Sequence, residues 1–161
     1  MPPLLFGSVV YFLIGFYNDF TVFLKFLLVL TLFNLSTASI CLFIGILCSQ
    51  TGVANITASI TILFSMLFGG FLLNKESISV LFDWIKYLST FYYAYEALIV
   101  NELLNVTLMD ETIVDIKVPG IVILKQFGYN PNAFWKDTVS LCIIFVVTLC
   151  LAFLGLLRVK K

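Results

Sequence analysis

Between Phe20 and Cys48 the chain carries one charged side chain, Lys25, and between Val139 and Leu157 it carries none. Runs of this length decide the solvent. A hydrocarbon core of ~30 Å is crossed by roughly 20 apolar residues in a helix. With 61% hydrophobic and 11% charged residues, against about half apolar and a quarter charged in soluble domains, a chain of 161 residues cannot hide its own apolar surface. A lipid bilayer is the natural solvent.

The apolar pattern divides the chain into membrane segments. Leu4–Phe16 (LLFGSVVYFLIGF) is short for a span and reads as the outer half of one, closed by the polar turn Tyr17-Asn18-Asp19. Phe20–Cys48 is a long span with Asn34 and Ser36-Thr37-Ala38-Ser39 in its middle, small hydroxyl residues that allow close contact and hydrogen bonds between helices. Ser49–Asn55 reads as a short loop. Ile56–Leu73 is the next span, with Ser65 and Gly69 spaced as a small-xxx-small pair. Asn74–Ala133 is polar by this chain's standards, and Phe134–Leu157 is the last span. The expected fold is all-α: a polytopic membrane protein, residues 1–161 forming one domain, with spans over 4–16, 20–48, 56–73 and 134–157.

Several function classes fall away. Formal net charge is zero, so no basic patch points to nucleic acid. Histidine is absent, which removes the commonest general base and the usual zinc ligand. No base is paired with a nucleophile in any readable motif, so neither catalytic nor metal-ligating residues are assigned. Cys41, Cys48, Cys142 and Cys150 all lie in apolar runs without a CxxC pair, as small hydrophobes buried in lipid or in protein do. Met1-Pro2-Pro3-Leu4-Leu5-Phe6 has no basic leader region, as an internal piece of a longer protein would show.

Arg158, Lys160 and Lys161 follow the last span directly, and the positive-inside rule puts that tail in the cytosol. Counting back, Ser49–Asn55 is cytosolic and 74–133 lies outside, with four lysines against seven acids. The sequon Asn105-Val106-Thr107 is then open to glycosylation. Asn34-Leu35-Ser36 and Asn55-Ile56-Thr57 match the pattern by chance.

The segment after Leu73 is neither a plain loop nor a plain span. Ile78, Leu81, Ile85, Leu88, Tyr92, Tyr95 and Ile99 fall three or four apart. Trp84, Tyr87, Tyr92, Tyr93 and Tyr95 are the amphipathic rings of headgroup depth. Asp83, Lys86, Glu96 and Glu102 are too costly for a lipid-facing span. Helices that dip back to the outer interface and rest on the spans satisfy both facts.

The block GGFLLN, then WIKYLSTFYYAYEALIVNE, resembles the G subfamily of ABC transporters, which holds White-type pigment transporters, multidrug exporters and sterol half-transporters. Phe127-Gly128-Tyr129 followed by Phe134-Trp135-Lys136-Asp137 resembles the approach to that family's sixth span, and PPLLFGSVVYFLIGF the outer half of its third. The resemblance runs over essentially the whole chain. It implies spans three to six of a six-span ABC-2 type domain, the first truncated, and an external re-entrant helical hairpin over the translocation path.

By the same resemblance, Phe71 and Leu72 occupy the hydrophobic gate before Asn74, with Phe where multidrug members carry a first Leu. Ser59, Leu63 and Met66 match the substrate-facing side of span five. Trp84, Tyr87, Glu96 and Glu102 belong to the external hairpin, where the two acids have a structural role. The bland alternative for all of these is ordinary apolar or interfacial packing. No GxxxxGK[ST] or signature motif occurs, so no cofactor is expected here. ATP and Mg2+ would be held by a nucleotide-binding domain absent from this chain.

The expected function is the membrane part of an ATP-driven exporter, not an enzyme by itself. It would work as a homo- or heterodimer in the lipid bilayer on an apolar or amphipathic small molecule, with the plasma membrane favoured over internal membranes. The competing expectation is a truncated membrane protein acting as scaffold or inhibitory dimer partner. An unrelated channel is a weaker reading, since no ring of charges or filter-type loop appears in the spans.

Overall fold

The computed structural model describes residues 2–16, 19–69, 89–104, 107–110, 116–126 and 128–159. The described chain is all-helical apart from one small ribbon. Its elements are α1 (Pro2–Ile14), α2 (Phe20–Leu47), α3 (Thr51–Phe68), α4 (Thr90–Leu103), β1 (Thr107–Asp110), β2 (Ile116–Pro119), α5 (Gly120–Gln126) and α6 (Phe134–Val159). Three of them, α2, α3 and α6, are long and apolar enough to cross a membrane.

Local chemistry sets the helix ends. Gly15 adopts φ +74°, which suits a residue without Cβ, and Phe16 donates its N–H to the Tyr11 carbonyl at 3.4 Å, ending α1 in a Schellman-type turn. Asp19 then caps α2, its Oδ1 accepting the Thr21 N–H at 2.9 Å. Between α2 and α3 only Cys48–Gln50 is non-helical. The loop expected over 49–55 is therefore shorter: α3 starts at Thr51, and Ala54 already bonds back to Gln50.

α2 is the hub. It packs most extensively on α6 and then on α4, α1 and α3. Lys25 stands 5.4 Å from the Phe134 ring centroid. Further along, the Ser36 hydroxyl reaches the Leu141 carbonyl at 3.0 Å, Ser39 and Thr148 share a hydroxyl–hydroxyl bond, and Ile46 lies against Gly155. Contacts that advance together along both helices mean that α2 and α6 run parallel. The hydroxyl-rich middle of α2 is thus the seam with α6, as the small-residue pattern predicts.

Parallel α2 and α6 fix the ends of the molecule. The starts of α2 and α6, the end of α3 and all of α4 gather at one end, and the α2–α3 link and Arg158 at the other. Val29, Ala94, Ala97, Val100, Leu124, Tyr129, Phe134 and Leu141 form the core cluster of the first end. Within α4 the innermost stripe is Thr90, Ala94, Ala97 and Asn101, while Tyr92, Tyr95 and Ile99 are half-buried. This differs from the aromatic stripe read in the sequence. Alanines let α4 approach α2 and α6 closely, and the larger rings lie beside the contact. Asn101 fixes the depth of α4, donating from Nδ2 to the Val22 carbonyl at 2.9 Å.

β1 and β2 pair antiparallel, Thr107 opposite Pro119 and Asp110 opposite Ile116. This ribbon lies in the segment read only as loop. Thr, Ile and Val are frequent there, which favours extended backbone over helix.

Candidate functional site

α3 differs from the other long helices. No residue between Thr51 and Phe68 is buried. One side is held at its far end by α4. The Ser89 hydroxyl donates to the Ser65 carbonyl and accepts the Tyr92 N–H at 3.3 Å, so it caps α4 while tying it to α3. Gly69 provides the room: a Cβ there would lie 2.7 Å from the Phe91 Cβ. Phe91 in turn meets Phe33 of α2 edge-on, at 4.8 Å between ring centroids. The Ser65–Gly69 pair marked in the sequence is therefore the seat of α4.

Beside this seat a groove of about 610 Å3 separates α3 from α6, with Ile40 of α2 at its base. Its walls are apolar, chiefly Ile60, Phe64 and Phe68 against Val147 and Leu151.

The opposite side of α3 carries the sequence-predicted path residues. Ser59 and Leu63 are exposed, Leu63 by 64%, and Met66 is half-buried. Leu63 and Met66 line one shallow depression with Phe64 and Leu67. The three predicted residues therefore share a side that nothing among the described residues covers. They stand at positions 59, 63 and 66, a spacing that stacks them along a helix.

Glu96 and Glu102 sit in α4, at the end where α2 begins. Glu96 is only 4% exposed, and its Oε1 accepts the Asn130 N–H at 3.4 Å. Glu102 Oε1 accepts from Asn101 Nδ2 at 3.2 Å. Gly128, with φ +73°, makes the Glu96 contact possible. It ends α5 so that Tyr129 donates its N–H to the Leu124 carbonyl at 2.8 Å and turns its ring inward, 6.2 Å from that of Tyr95. The Tyr129 phenol is pushed up to about 12, first by burial and then by Tyr95 and Glu96. Asp137, buried in the first turn of α6, lies where the helix dipole favours an anion.

Phe71, Leu72, Trp84, Tyr87 and Asn105 lie outside the described residues. Among the described residues no cluster of His, Cys, Asp and Glu is placed to hold a metal ion. Sequence reasoning missed Ser89 and Asn101. Both are polar residues whose partners, Ser65 and Val22, lie 24 and 79 positions away, beyond the reach of any local pattern.

Residues 1–103 match the family model described as ABC-2 type transporter. The chain is 34% identical to a probable ATP-dependent permease of Saccharomyces cerevisiae over 97% of its length, covering 15% of that protein. It is 30% identical to the bovine (Bos taurus) broad substrate specificity ATP-binding cassette transporter ABCG2 over its whole length, covering 26% of it. To the protein white of Ceratitis capitata it is 32% identical over 89% of the chain, covering 22% of that relative. The chain thus spans about a quarter or less of the relatives it matches.

Proposed function

This chain belongs to the ABC-2 type transporter family, in its G subfamily, and on that premise we propose that it forms the substrate path of an ATP-driven exporter. The observation that carries this is the uncovered side of α3. A membrane helix with no buried residue and with Ser59, Leu63 and Met66 aligned on its open side suits a helix that faces a path rather than a core.

Two copies, or this chain and a related half, would meet across α3 and enclose the path. The lining suits lipid-like, sterol or other apolar and amphipathic compounds. Phe71 and Leu72 would close the path by excluding water, and the segment from Trp84 and Tyr87 to Glu96 and Glu102 would roof it. ATP with Mg2+ would be bound and hydrolysed by a nucleotide-binding domain elsewhere in the full protein. This chain's own part is to bind, enclose and release. Arg158, Lys160 and Lys161 support a cytosolic tail and hence an external α4 with Asn105 available for glycan. The plasma membrane is the favoured location.

The test is uptake of apolar fluorescent dyes by inside-out vesicles containing the full protein. ATP-dependent uptake is expected, and Leu63→Ser and Met66→Ala should weaken it while the protein still inserts and dimerises. Uptake untouched by both substitutions would remove α3 from the path. A native product no larger than 18.1 kDa on a blot against the tail would instead favour an inhibitory partner or scaffold.

A further inference from the structure

The open side of α3 changes character along its length. From the start of the helix it presents Gly52, Asn55 and Ser59, then Leu63 and Met66, each three or four residues beyond the last. Gly52, Asn55, Ser59 and Leu63 are exposed and Met66 is half-buried. Hydrogen-bonding side chains occupy the half nearer Cys48–Gln50, and the other half offers only carbon and sulfur. At 1.5 Å per residue, Asn55 and Met66 are ~16 Å apart along the axis, room for a lipid-like molecule lying lengthwise.

The polar half is unspent. Thr61, on the other side of α3, gives its hydroxyl to the Thr57 carbonyl at 2.8 Å, and Thr37 and Thr148 bond back into their own helices in the same way. Among the described residues, neither the Asn55 amide nor the Ser59 hydroxyl has a hydrogen-bond partner. An apolar body laid over them would strip both of water and return nothing. A polar head laid over Leu63 and Met66 would be stripped likewise. Only one alignment avoids both losses.

We propose that the open side of α3 takes an amphiphile in one direction, its hydrogen-bonding end at Asn55 and Ser59 and its apolar body along Leu63 and Met66, so that Asn55 sets the head-group preference. This rests on α3 facing the path. It adds a direction and a selecting residue to that reading.

The experiment is photolabelling of the full-length protein in detergent, where no bilayer leaflet orients the probe. Two isomeric fatty alcohols carry a diazirine, one beside the hydroxyl and one at the methyl end. The hydroxyl-end label is expected within residues 52–59 and the methyl-end label within 63–67. Asn55→Leu should lower hydroxyl-end labelling several-fold, and Asn55→Gln should retain it. Labelling of the exposed Val146 side of α6 serves as the reference and should not change. Reversed order, identical labelling by both isomers, or an indifferent Asn55→Leu overturns the proposed direction and leaves the path reading standing. Failure of both isomers to label α3 above the α6 reference removes the path reading, and this proposal with it.

Discussion

Gly69 lies against Phe91 so closely that a Cβ at position 69 would stand 2.7 Å from the Phe91 Cβ and 3.3 Å from its carbonyl carbon. Two of the three nearest atoms are backbone, the Ser65 carbonyl oxygen among them at 3.0 Å, so a side-chain rotation cannot relieve the clash. The joint between α3 and α4 therefore depends on a missing side chain.

Gly69→Ala should accordingly destabilise the protein by about 1–3 kcal/mol, the range for overpacking a close contact. Thermal unfolding in detergent reads this directly. Gly45, with open space around it, is the control: Gly45→Ala should be neutral or slightly stabilising, since alanine is the better helix former. Equal effects at the two sites would mean that Gly69 is not a steric joint.

The seam between α2 and α6 makes a graded prediction. Ser36 is fully buried and its hydroxyl lies within reach of both the Leu32 and Leu141 carbonyls. Ser36→Ala removes only that hydroxyl and should cost about 0.6 kcal/mol, the average for such bonds between membrane helices. Ser36→Leu must also displace α6 and should cost about 1–3 kcal/mol. A leucine tolerated as well as the alanine would contradict the close seam.

Glu96 is expected to hold the turn after α5 through an acceptor. Glu96→Gln preserves a carbonyl oxygen for the Asn130 N–H, whereas Glu96→Ala removes that acceptor and should lose about 0.5–1.5 kcal/mol, the net worth of one such bond. Proteolysis within 128–133 distinguishes them: faster cleavage in the alanine variant, near-native rates in the glutamine variant.

The Tyr129 phenol supplies a pH dependence. Its folded value, raised to about 12 by burial and by Tyr95 and Glu96, exceeds the unfolded value near 10. The fold therefore favours the neutral phenol. That contribution is complete below pH 10 and declines as pH rises from about 10 to 12. Stability followed by denaturation at alkaline pH should fall in that window, and Tyr129→Phe should flatten the fall. An unchanged alkaline profile in the phenylalanine variant would place the titration elsewhere.

Much of the architecture was legible because a bilayer imposes length. Lys25 as the only charge in Phe20–Cys48 and the bare run before Arg158 left little alternative to spanning helices. The Ser36–Ser39 patch announced a close helix contact, though not that α6 makes it. What failed to show was depth and register. In α4 the conspicuous tyrosines drew the reading to their own stripe, while the contact belongs to Ala94 and Ala97, whose value lies in what they lack. Asn101 and Ser89 gave no signal because each needs a partner from a distant helix. The spacing of Ser59, Leu63 and Met66 reads in sequence as any helical stripe would, and only the lack of cover among the described residues distinguishes it.

The parallel seam also bears on how the chain is made. Ser36 and its α6 acceptor are 105 residues apart. Synthesis at about 5–20 residues per second therefore leaves α2 without its neighbour for roughly 5–20 s. During that interval the hydroxyls of Ser36 and Ser39 are not stranded, because each already reaches a carbonyl of its own helix, Leu32 at 2.8 Å and Ser36 at 2.8 Å. Thr148 brings the same provision from the other side, bonded to Ile144 at 2.7 Å. Each helix can therefore leave the insertion machinery with these hydroxyls already satisfied, and α6 can dock on α2 late, by exchanging partners at the seam rather than by first finding them.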